Sequence, residues 1–317
     1  PDHAEVSIGI VDHDQTYRFG YQIDQGTLRG IKNDDRIFEI GSITKTFTAA
    51  LLMREVSNGT ISMDDPMQKL LTVKMKNDSY SGHIITVRHL ITHTSGLKRL
   101  RLTASYDEYK KYLSSFELDY RPGKEWSYNN FAISLLGRFL SEINKTSWED
   151  LIQTKLFSPL NLKHTYLHTD QCPKNLVTQS HNMKGKKIPF WEMDFLNPAG
   201  GIKSDLNDMI KWLRANLDNK NPDLDYLQDA HDSLGDSISI NNKNVTMGIG
   251  WWHYRPDSTE RIVYHLGGTY GQTSFLGFSK SCKRGIVILS NFSGDHPKMK
   301  SGKDELSKPN DLAFQIL

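Results

Sequence analysis

The sequence predicts an α/β protein of the α+β type, in which one antiparallel sheet is built from both ends of the chain. Alternation of apolar and polar residues marks strands near the N-terminus, and the same texture returns after residue 244. The intervening stretch has mainly helical spacing. Strands and helices separated in this way are typical of an antiparallel sheet with helices beside it. We therefore expect a sheet lobe of residues 1–60 and 198–317, with a mainly helical lobe of residues 61–197 inserted.

The N-terminal strands are predicted from two alternating segments, Glu5–Val11 and Thr16–Ile23. The short polar stretch His13-Asp14-Gln15 separates them, so we expect an antiparallel hairpin. A further short strand, Arg36–Ile40, follows and leads into the next element.

The first long helix is predicted to begin at or beside Ser42. An almost unbroken apolar run, Phe47–Met53, leaves no clear polar face, and such a helix belongs in the interior of a protein. Asn58-Gly59 supplies the expected C-terminal stop.

Later elements follow from caps, helical spacing and renewed alternation. We predict helices at Val87–Thr92, Tyr106–Phe116, Asn129–Ile143, Leu151–Phe157, a helix capped by Asp205, and Pro309–Leu317, a turn at Pro198–Gly201, and strands at Val245–Trp252, Arg261–His265, Thr273–Phe278 and Gly285–Ser290.

Composition excludes several functional classes. The 39 basic and 37 acidic residues nearly cancel and form no concentrated stripe, so nucleic acid is not an expected partner. The sequence has no run of 18 apolar residues, so we expect no membrane span, and no residue cluster with metal-ligand spacing, so we expect neither metal nor cofactor. Cys172 and Cys282 could form one disulfide or remain as two buried thiols, and we favour the thiols.

Ser42 and Lys45 are two polar residues in an otherwise apolar setting. Three positions apart, they lie on one face of a helix. Desolvation disfavours the charged form of an amine, which lets it accept a proton and activate a neighbouring serine. In the alternative interpretation, Ser42 caps the helix and Lys45 extends to solvent. Because a second copy of Ser-x-x-Lys occurs at Ser95–Lys98, where we expect a glycine-containing loop with solvated basic residues, the pattern alone does not decide.

Further motifs narrow the interpretation. Arg121–Asn130 contains Tyr-x-Asn before a predicted helix, and Tyr264–Thr269 contains His-x-Gly at the end of a strand. Together with Ile85–Leu97, Pro198–Ile202 and the Ser-x-x-Lys of Ser42, they resemble the penicillin-recognising serine hydrolases. The resemblance is to the branch that contains class C β-lactamases, D-Ala-D-Ala carboxypeptidases, D-aminopeptidases and related esterases.

This resemblance implies a β-lactamase-like fold and a set of roles. Ser42 would be the acylated nucleophile and Lys45 would accept its proton. Tyr128 would be a phenolate-type base and later proton donor, with its pKa lowered by Lys45. The remaining positions would bind substrate or the oxyanion: Asn130, His265, Gly267 and Gly268, with the backbone N–H groups of Ser42 and Gly268 facing the oxyanion.

His265 departs from the family pattern, in which many relatives have a lysine that pairs with a substrate carboxylate. Histidine is only partly charged at neutral pH. Lys300-Ser301-Gly302 could supply the lysine motif instead, but too little chain follows it for the strands that the motif requires. The departure makes a peptidase, amidase or esterase acting on small, D-amino-acid-containing substrates a better prediction than an efficient β-lactamase.

Two alternatives stay open, a class C-like β-lactamase and a non-catalytic penicillin-binding-like sensor or scaffold. The resemblance also implies a small-molecule or peptide substrate, with the cell wall as one source, and a periplasmic, secreted or surface-attached location. The aromatic residues Trp191, Phe195, Trp252 and Tyr270 are candidates for the lining of the cleft around Ser42. The shape of that lining would set the choice of acyl group.

Overall fold

The computed structural model describes residues 3–70, 75–100, 106–182, 184–231, 244–256, 260–293 and 309–317. The strands in this part of the chain are β1 Glu5–Asp12, β2 Gln15–Asp24, β3 Thr27–Gly30, β4 Phe38–Glu39, β5 Ser79–Tyr80, β6 His83–Ile84, β7 Thr165–Tyr166, β8 Ser180–His181, β9 Lys187–Ile188, β10 Lys203–Ser204, β11 Val245–Met247, β12 Trp252–Tyr254, β13 Ile262–Gly268, β14 Thr273–Ser279 and β15 Arg284–Ser290. The helices are α1 Thr44–Ser57, α2 Val87–Ile91, α3 Tyr106–Leu113, α4 Asn130–Asn144, α5 Trp148–Ile152, α6 Asn197–Gly200, α7 Leu206–Leu217, α8 Tyr226–Asp229 and α9 Pro309–Ile316.

The main sheet has eight strands in the order β11-β12-β13-β14-β15-β1-β2-β3, and all neighbours are antiparallel. β1 pairs with β15 from Val6↔Ser290 to Asp12↔Arg284, so the two ends of the chain meet in its middle. The predicted N-terminal hairpin is present with a two-residue turn. The α+β class and the sheet built from both ends are therefore confirmed.

The two faces of the sheet are covered by different helices. β1 alternates between buried and half-buried residues along its whole length. Its buried side faces α7, where a Cβ added to Gly9 would lie 2.7 Å from a side-chain carbon of Ile210. On the other side, Ile8 and Ile10 join a smaller apolar cluster with Ala313 of α9. The larger core thus lies between the sheet and the helical part of the molecule.

Helix α1 lies at the centre of that core, as its unbroken apolar run predicts. Its residues from Thr44 to Met53 are all buried. Phe47 stacks on Trp212 of α7 with ring centroids 3.9 Å apart, and the Trp212 indole N–H donates to Thr46 Oγ1 at 3.0 Å. Truncation of a side chain packed this way costs roughly 3–5 kcal/mol, so α1 is held rigidly.

Two local predictions are wrong. The segment predicted as one strand, Val245–Trp252, forms the hairpin β11–β12, because Gly250 has φ +71° and turns the chain where it meets α1. A Cβ on Gly250 would lie 2.4 Å from the Ala49 Cβ, so the turn requires glycine there. The predicted turn Pro198–Gly201 is largely the short helix α6.

Other predictions have mixed outcomes. Cys172 and Cys282 are both free thiols, the first buried and the second half-buried. Among the described residues no helix is both long and apolar enough to cross a membrane. The division into lobes at residues 60 and 197 stays a prediction.

Candidate active site

Ser42 lies in a one-turn 3-10 helix, Gly41–Ile43, that joins β4 to α1. Its side chain is half-buried, whereas Lys45 one turn later is fully buried. The Lys45 Nζ lies 3.0 Å from Ser42 Oγ and donates to the carbonyl oxygen of Ala199 at 2.6 Å. The helical spacing therefore places the amine directly on the serine hydroxyl.

The segment around α6 covers this face of α1 and excludes water from it. Thr48 Oγ1 donates to the Pro198 carbonyl at 2.7 Å. One turn earlier, Thr44 Oγ1 accepts from the Ile202 N–H at 3.2 Å. Together with the bond from Lys45, these contacts fasten the 198–202 segment against the helix.

Burial determines the protonation of Lys45. Desolvation lowers its pKa well below the usual value for lysine. No carboxylate among the described residues forms an ion pair with it. A neutral amine beside Ser42 can accept the hydroxyl proton, which is the requirement for a serine nucleophile.

Tyr128 precedes α4 and approaches the same pair from the helical part of the chain. Its ring centroid is 4.9 Å from Lys45 Nζ, and its hydroxyl is hydrogen-bonded to the Ser42 side chain. Burial raises the pKa of Tyr128, and the bond to Ser42 opposes this only in part. The expectation that Lys45 lowers this pKa is wrong, because the desolvated lysine disfavours its own charge. Tyr128 is therefore a neutral hydroxyl that can donate a proton.

His93 supports the Tyr128 loop, a role that was not predicted from the sequence. Its ring centroid is 4.6 Å from that of Tyr128. Its Nδ1 accepts the Asn129 N–H at 3.1 Å, and its carbonyl accepts the Ser127 N–H at 2.9 Å. His93 is fully buried with φ +61°, and burial lowers its pKa well below the usual value. No sequence signal distinguishes it from a histidine of the core.

Asn130 is the first residue of α4 and lines a cavity of about 50 Å³ together with Ser42, Trp191 and Gly268. Its Oδ1 is buried without a hydrogen-bond partner among the described residues. The neighbouring Asn129 caps the helix instead, since its side chain accepts from Ala132 N at 3.2 Å. Asn130 is thus free to bind a group that enters the cavity.

Glycines allow the end of β13 to approach Ser42. Gly41 has φ +50°, and a Cβ there would lie 2.7 Å from the Gly268 backbone nitrogen. A Cβ on Gly267 would lie 2.1 Å from both the Ile40 carbonyl oxygen and Ser274 Oγ. Distances below 3.0 Å are not tolerated by backbone atoms, so these two glycines set the separation of Ser42 and Gly268.

His265 lies on β13 and is almost completely buried. Burial first, and the nearby Lys45 second, lower its pKa to about 3. Its Nδ1 donates to the Leu266 carbonyl at 2.7 Å, so Nε2 is an unprotonated acceptor. This imidazole is uncharged at neutral pH rather than partly charged. The competing motif Lys300–Gly302 lies outside the described residues.

The second Ser-x-x-Lys lies in a loop, as predicted. Ser95 is buried, Gly96 has φ +76°, and the Lys98 side chain is 55% exposed. Lys98 pairs with Asp119 at 3.7 Å.

Three of the four aromatic residues named from the sequence surround the site. Trp191 lines the Ser42 cavity and stacks on Tyr270 with centroids 4.4 Å apart. Trp252 packs against Tyr128 and His265. Phe195 instead stacks on Tyr109 in the helical core.

The whole chain can also be compared with known proteins. The family model described as Beta-lactamase matches residues 2–307. The beta-lactamase of Escherichia coli (strain K12) is 25% identical over 92% of this chain and 85% of its own length. Solved structures share the fold. The Beta-Lactamase/D-Alanine Carboxypeptidase from Pseudomonas syringae has a TM-score of 0.78 at 24% identity, covering 92% of this chain and 89% of that chain. The octameric penicillin-binding protein homologue from Pyrococcus abyssi has a TM-score of 0.76 at 23% identity, covering 93% and 71%. The chain therefore belongs to the beta-lactamase family and is a serine hydrolase of the penicillin-binding type.

Proposed function

We propose that the chain hydrolyses small amides or esters through an acyl-enzyme on Ser42. The observation that carries this proposal is the position and charge state of Lys45. Its buried Nζ lies 3.0 Å from Ser42 Oγ, and burial lowers its pKa well below the usual value for lysine. A scaffold that forms no acyl-enzyme has no need for a desolvated lysine, which costs stability without an ionic partner.

The proposed reaction has two steps, acylation and then deacylation of Ser42. Ser42 Oγ bonds to the substrate carbonyl carbon as its proton passes to Lys45 Nζ. The resulting oxyanion accepts hydrogen bonds from the N–H groups of Ser42 and Gly268, each worth roughly a hundredfold in rate. When the oxyanion collapses, the bond to the leaving nitrogen or oxygen breaks, and that atom takes a proton from the Tyr128 hydroxyl. Lys45 then returns its proton to Tyr128.

Water completes the cycle by the same route. Water gives a proton to Lys45 Nζ and attacks the ester carbonyl of the acyl-enzyme. The bond between Ser42 Oγ and the acyl carbon then breaks, and Oγ takes the proton back from Lys45 as the carboxylic acid is released. Asn130 would orient the substrate amide through its unpartnered Oδ1. The proposal includes the catalytic and binding roles of six residues: Ser42, Lys45, Tyr128, Asn130, Gly267 and Gly268.

The state of His265 narrows the proposed substrates. Because its pKa is lowered to about 3, it provides no cation for a carboxylate on the leaving group. We therefore favour D-aminoacyl amides and esters over β-lactams and over peptides that end in a free D-alanine carboxylate. Cell-wall peptides as the source of the substrate and a location outside the cytoplasm are further predictions of the family resemblance.

A panel of substrates tests the proposal. Purified protein is assayed with p-nitrophenyl esters, D-aminoacyl p-nitroanilides and nitrocefin, with Ser42→Ala as the control. We expect Ser42-dependent hydrolysis of the first two and slow turnover of nitrocefin. Efficient nitrocefin turnover would instead identify a β-lactamase, and a penicilloyl adduct on Ser42 that never hydrolyses would identify a sensor.

A matched pair of depsipeptides, identical except for a free or amidated terminal carboxyl group, isolates the role of His265. We expect a preference for the amidated form, and His265→Lys should shift this preference toward the free carboxylate by tenfold or more. An unchanged ratio in that variant would remove residue 265 from substrate recognition.

A further inference from the structure

A second cavity of about 670 Å³ lies beside the Ser42 cavity and shares Trp191 with it. We call it the aromatic cavity. One wall is the segment from Ile188 to Glu192 and the other is the turn from Thr269 to Gly271. Phe190 is buried, whereas Lys184 and Glu192 are exposed. The inner surface is thus mainly apolar.

A buried carboxylate holds the two walls together. Glu39, three residues before Ser42, is 4% exposed and lies on the floor of the aromatic cavity. It accepts the Trp191 backbone N–H at 2.6 Å and the Thr269 hydroxyl at 2.9 Å. Trp191 and Tyr270 then stack across the gap at 4.4 Å. Because Glu39 binds the backbone of Trp191, this anchor does not depend on the indole ring.

The position of the cavity indicates which half of a substrate would enter it. The proton donor Tyr128 must lie on the side of the leaving group, and the ring of Trp252 packs against both Tyr128 and His265 on that side. From His265 to Gly268, β13 advances about 10 Å. The aromatic cavity begins just beyond Gly268, at Thr269, so it lies on the acyl side of the scissile bond.

We propose that the aromatic cavity binds an apolar aliphatic or aromatic substituent on the acyl half of the substrate, with Trp191 and Tyr270 as the specificity-determining residues. This proposal rests on the proposed function of Ser42. The apolar inner surface suits a hydrocarbon group, and both Glu39 carboxylate oxygens are already occupied by protein donors. The floor therefore offers no free carboxylate oxygen to an ammonium group, so in a D-aminoacyl substrate the side chain rather than the amino group would enter the aromatic cavity.

A series of p-nitrophenyl esters with acyl chains from acetyl to hexanoyl, and phenylacetyl, tests the proposal. Each rate is divided by the rate of hydroxide-catalysed hydrolysis of the same ester. In the wild type we expect kcat/KM to rise about fourfold for each added methylene, the factor for burial of one CH₂. Tyr270→Ala, at a residue that lines only the aromatic cavity, should flatten this slope while retaining hydrolysis of the acetyl ester. Trp191→Ala, at a residue that also lines the Ser42 cavity, should flatten the slope whatever its rate with the acetyl ester.

Tyr80→Ala is the matched control, because Tyr80 is an exposed tyrosine on the β5–β6 hairpin that lines neither cavity. It should keep the wild-type slope. An equally steep slope in the Trp191 and Tyr270 variants, or no slope in the wild type, would overturn the proposed acyl subsite. Absence of Ser42-dependent hydrolysis with every ester, the acetyl ester included, would instead overturn the proposed function.

Discussion

The chain contains Ser-x-x-Lys twice, and the two copies differ in the solvation of the lysine and in the conformation of the backbone. At Ser42–Lys45 the lysine is fully buried and its Nζ lies 3.0 Å from the serine oxygen. At Ser95–Lys98 the lysine side chain is 55% exposed and pairs with Asp119. A helix brings the first pair onto one face, whereas Gly96, with φ +76°, makes the second copy a turn.

The comparison indicates that the reactivity proposed for Ser42 depends on the solvation of the lysine more than on the motif. Desolvation makes the Lys45 amine available as a base, and the same side chain in water stays charged at neutral pH. Each copy also has a tyrosine beside it. The Tyr128 hydroxyl is hydrogen-bonded to Ser42, while the Tyr112 hydroxyl accepts the Lys98 backbone N–H at 2.8 Å. Paired variants at the two copies can therefore separate catalytic from structural roles.

The largest difference is expected between Ser42→Ala and Ser95→Ala. Loss of the nucleophile should lower kcat for p-nitrophenyl acetate by about 10⁴-fold or more. Ser95→Ala should leave kcat within a few-fold, although Ser95 is buried and loss of its hydroxyl should lower the free energy of unfolding by about 1 kcal/mol. Steady-state kinetics and urea unfolding measure the two effects. Similar kinetic losses in both variants would refute the distinction.

Lys45→Met and Lys98→Met should differ next most. Without the buried base, kcat should fall by about 10³-fold or more, because nucleophile and base act as a unit. The unfolding free energy of Lys45→Met should change by no more than about 2 kcal/mol, since loss of the bond to Ala199 is offset by removal of a desolvated amine. Lys98→Met should stay within about 0.5 kcal/mol of wild type and keep its activity. A fully active Lys45→Met would assign the proton to another acceptor.

Tyr128→Phe and Tyr112→Phe form the third pair. Removal of the proposed proton donor should slow acylation by about 10²- to 10⁴-fold without unfolding the protein. Burial raises the pKa of the Tyr112 hydroxyl to about 12. In Tyr112→Phe, loss of this hydroxyl should lower the free energy of unfolding by about 1 kcal/mol and change the acylation rate little. Stopped-flow measurement of p-nitrophenol release gives the acylation rate. Near-normal acylation in Tyr128→Phe would remove this residue from the mechanism.

The smallest expected effect is on the pH dependence of the acylation rate. In the proposed mechanism a neutral Lys45 is the active form, so acylation should rise with pH through the lowered pKa of Lys45 and level off well below pH 10.5. His265, with its pKa lowered to about 3, should add no limb between pH 5 and 9. The profile of His265→Gln should therefore keep the wild-type shape, whatever its amplitude. Loss of a limb near pH 6 in that variant would show that His265 titrates during catalysis.

Much of this molecule follows from its sequence alone. The unbroken apolar run of α1 predicts a central helix, and the alternating N- and C-terminal segments predict one antiparallel sheet. Ser42 and Lys45 are three residues apart on a helix, so their contact is local and depends on no other part of the chain. The position of Tyr128 near Ser42 was predicted from the resemblance of its Tyr-x-Asn motif to that of the penicillin-recognising serine hydrolases.

The protonation states were decided only by the tertiary structure. Lys45 is desolvated by the segment around Ala199, which lies 154 residues away in sequence. His265 is neutral because it is buried on β13 near Lys45, and Tyr128 keeps its proton because desolvation raises the pKa of its hydroxyl. Local pattern can place two side chains on one helix face, but desolvation depends on atoms supplied by distant segments, and no spacing in the sequence records which segments will pack there.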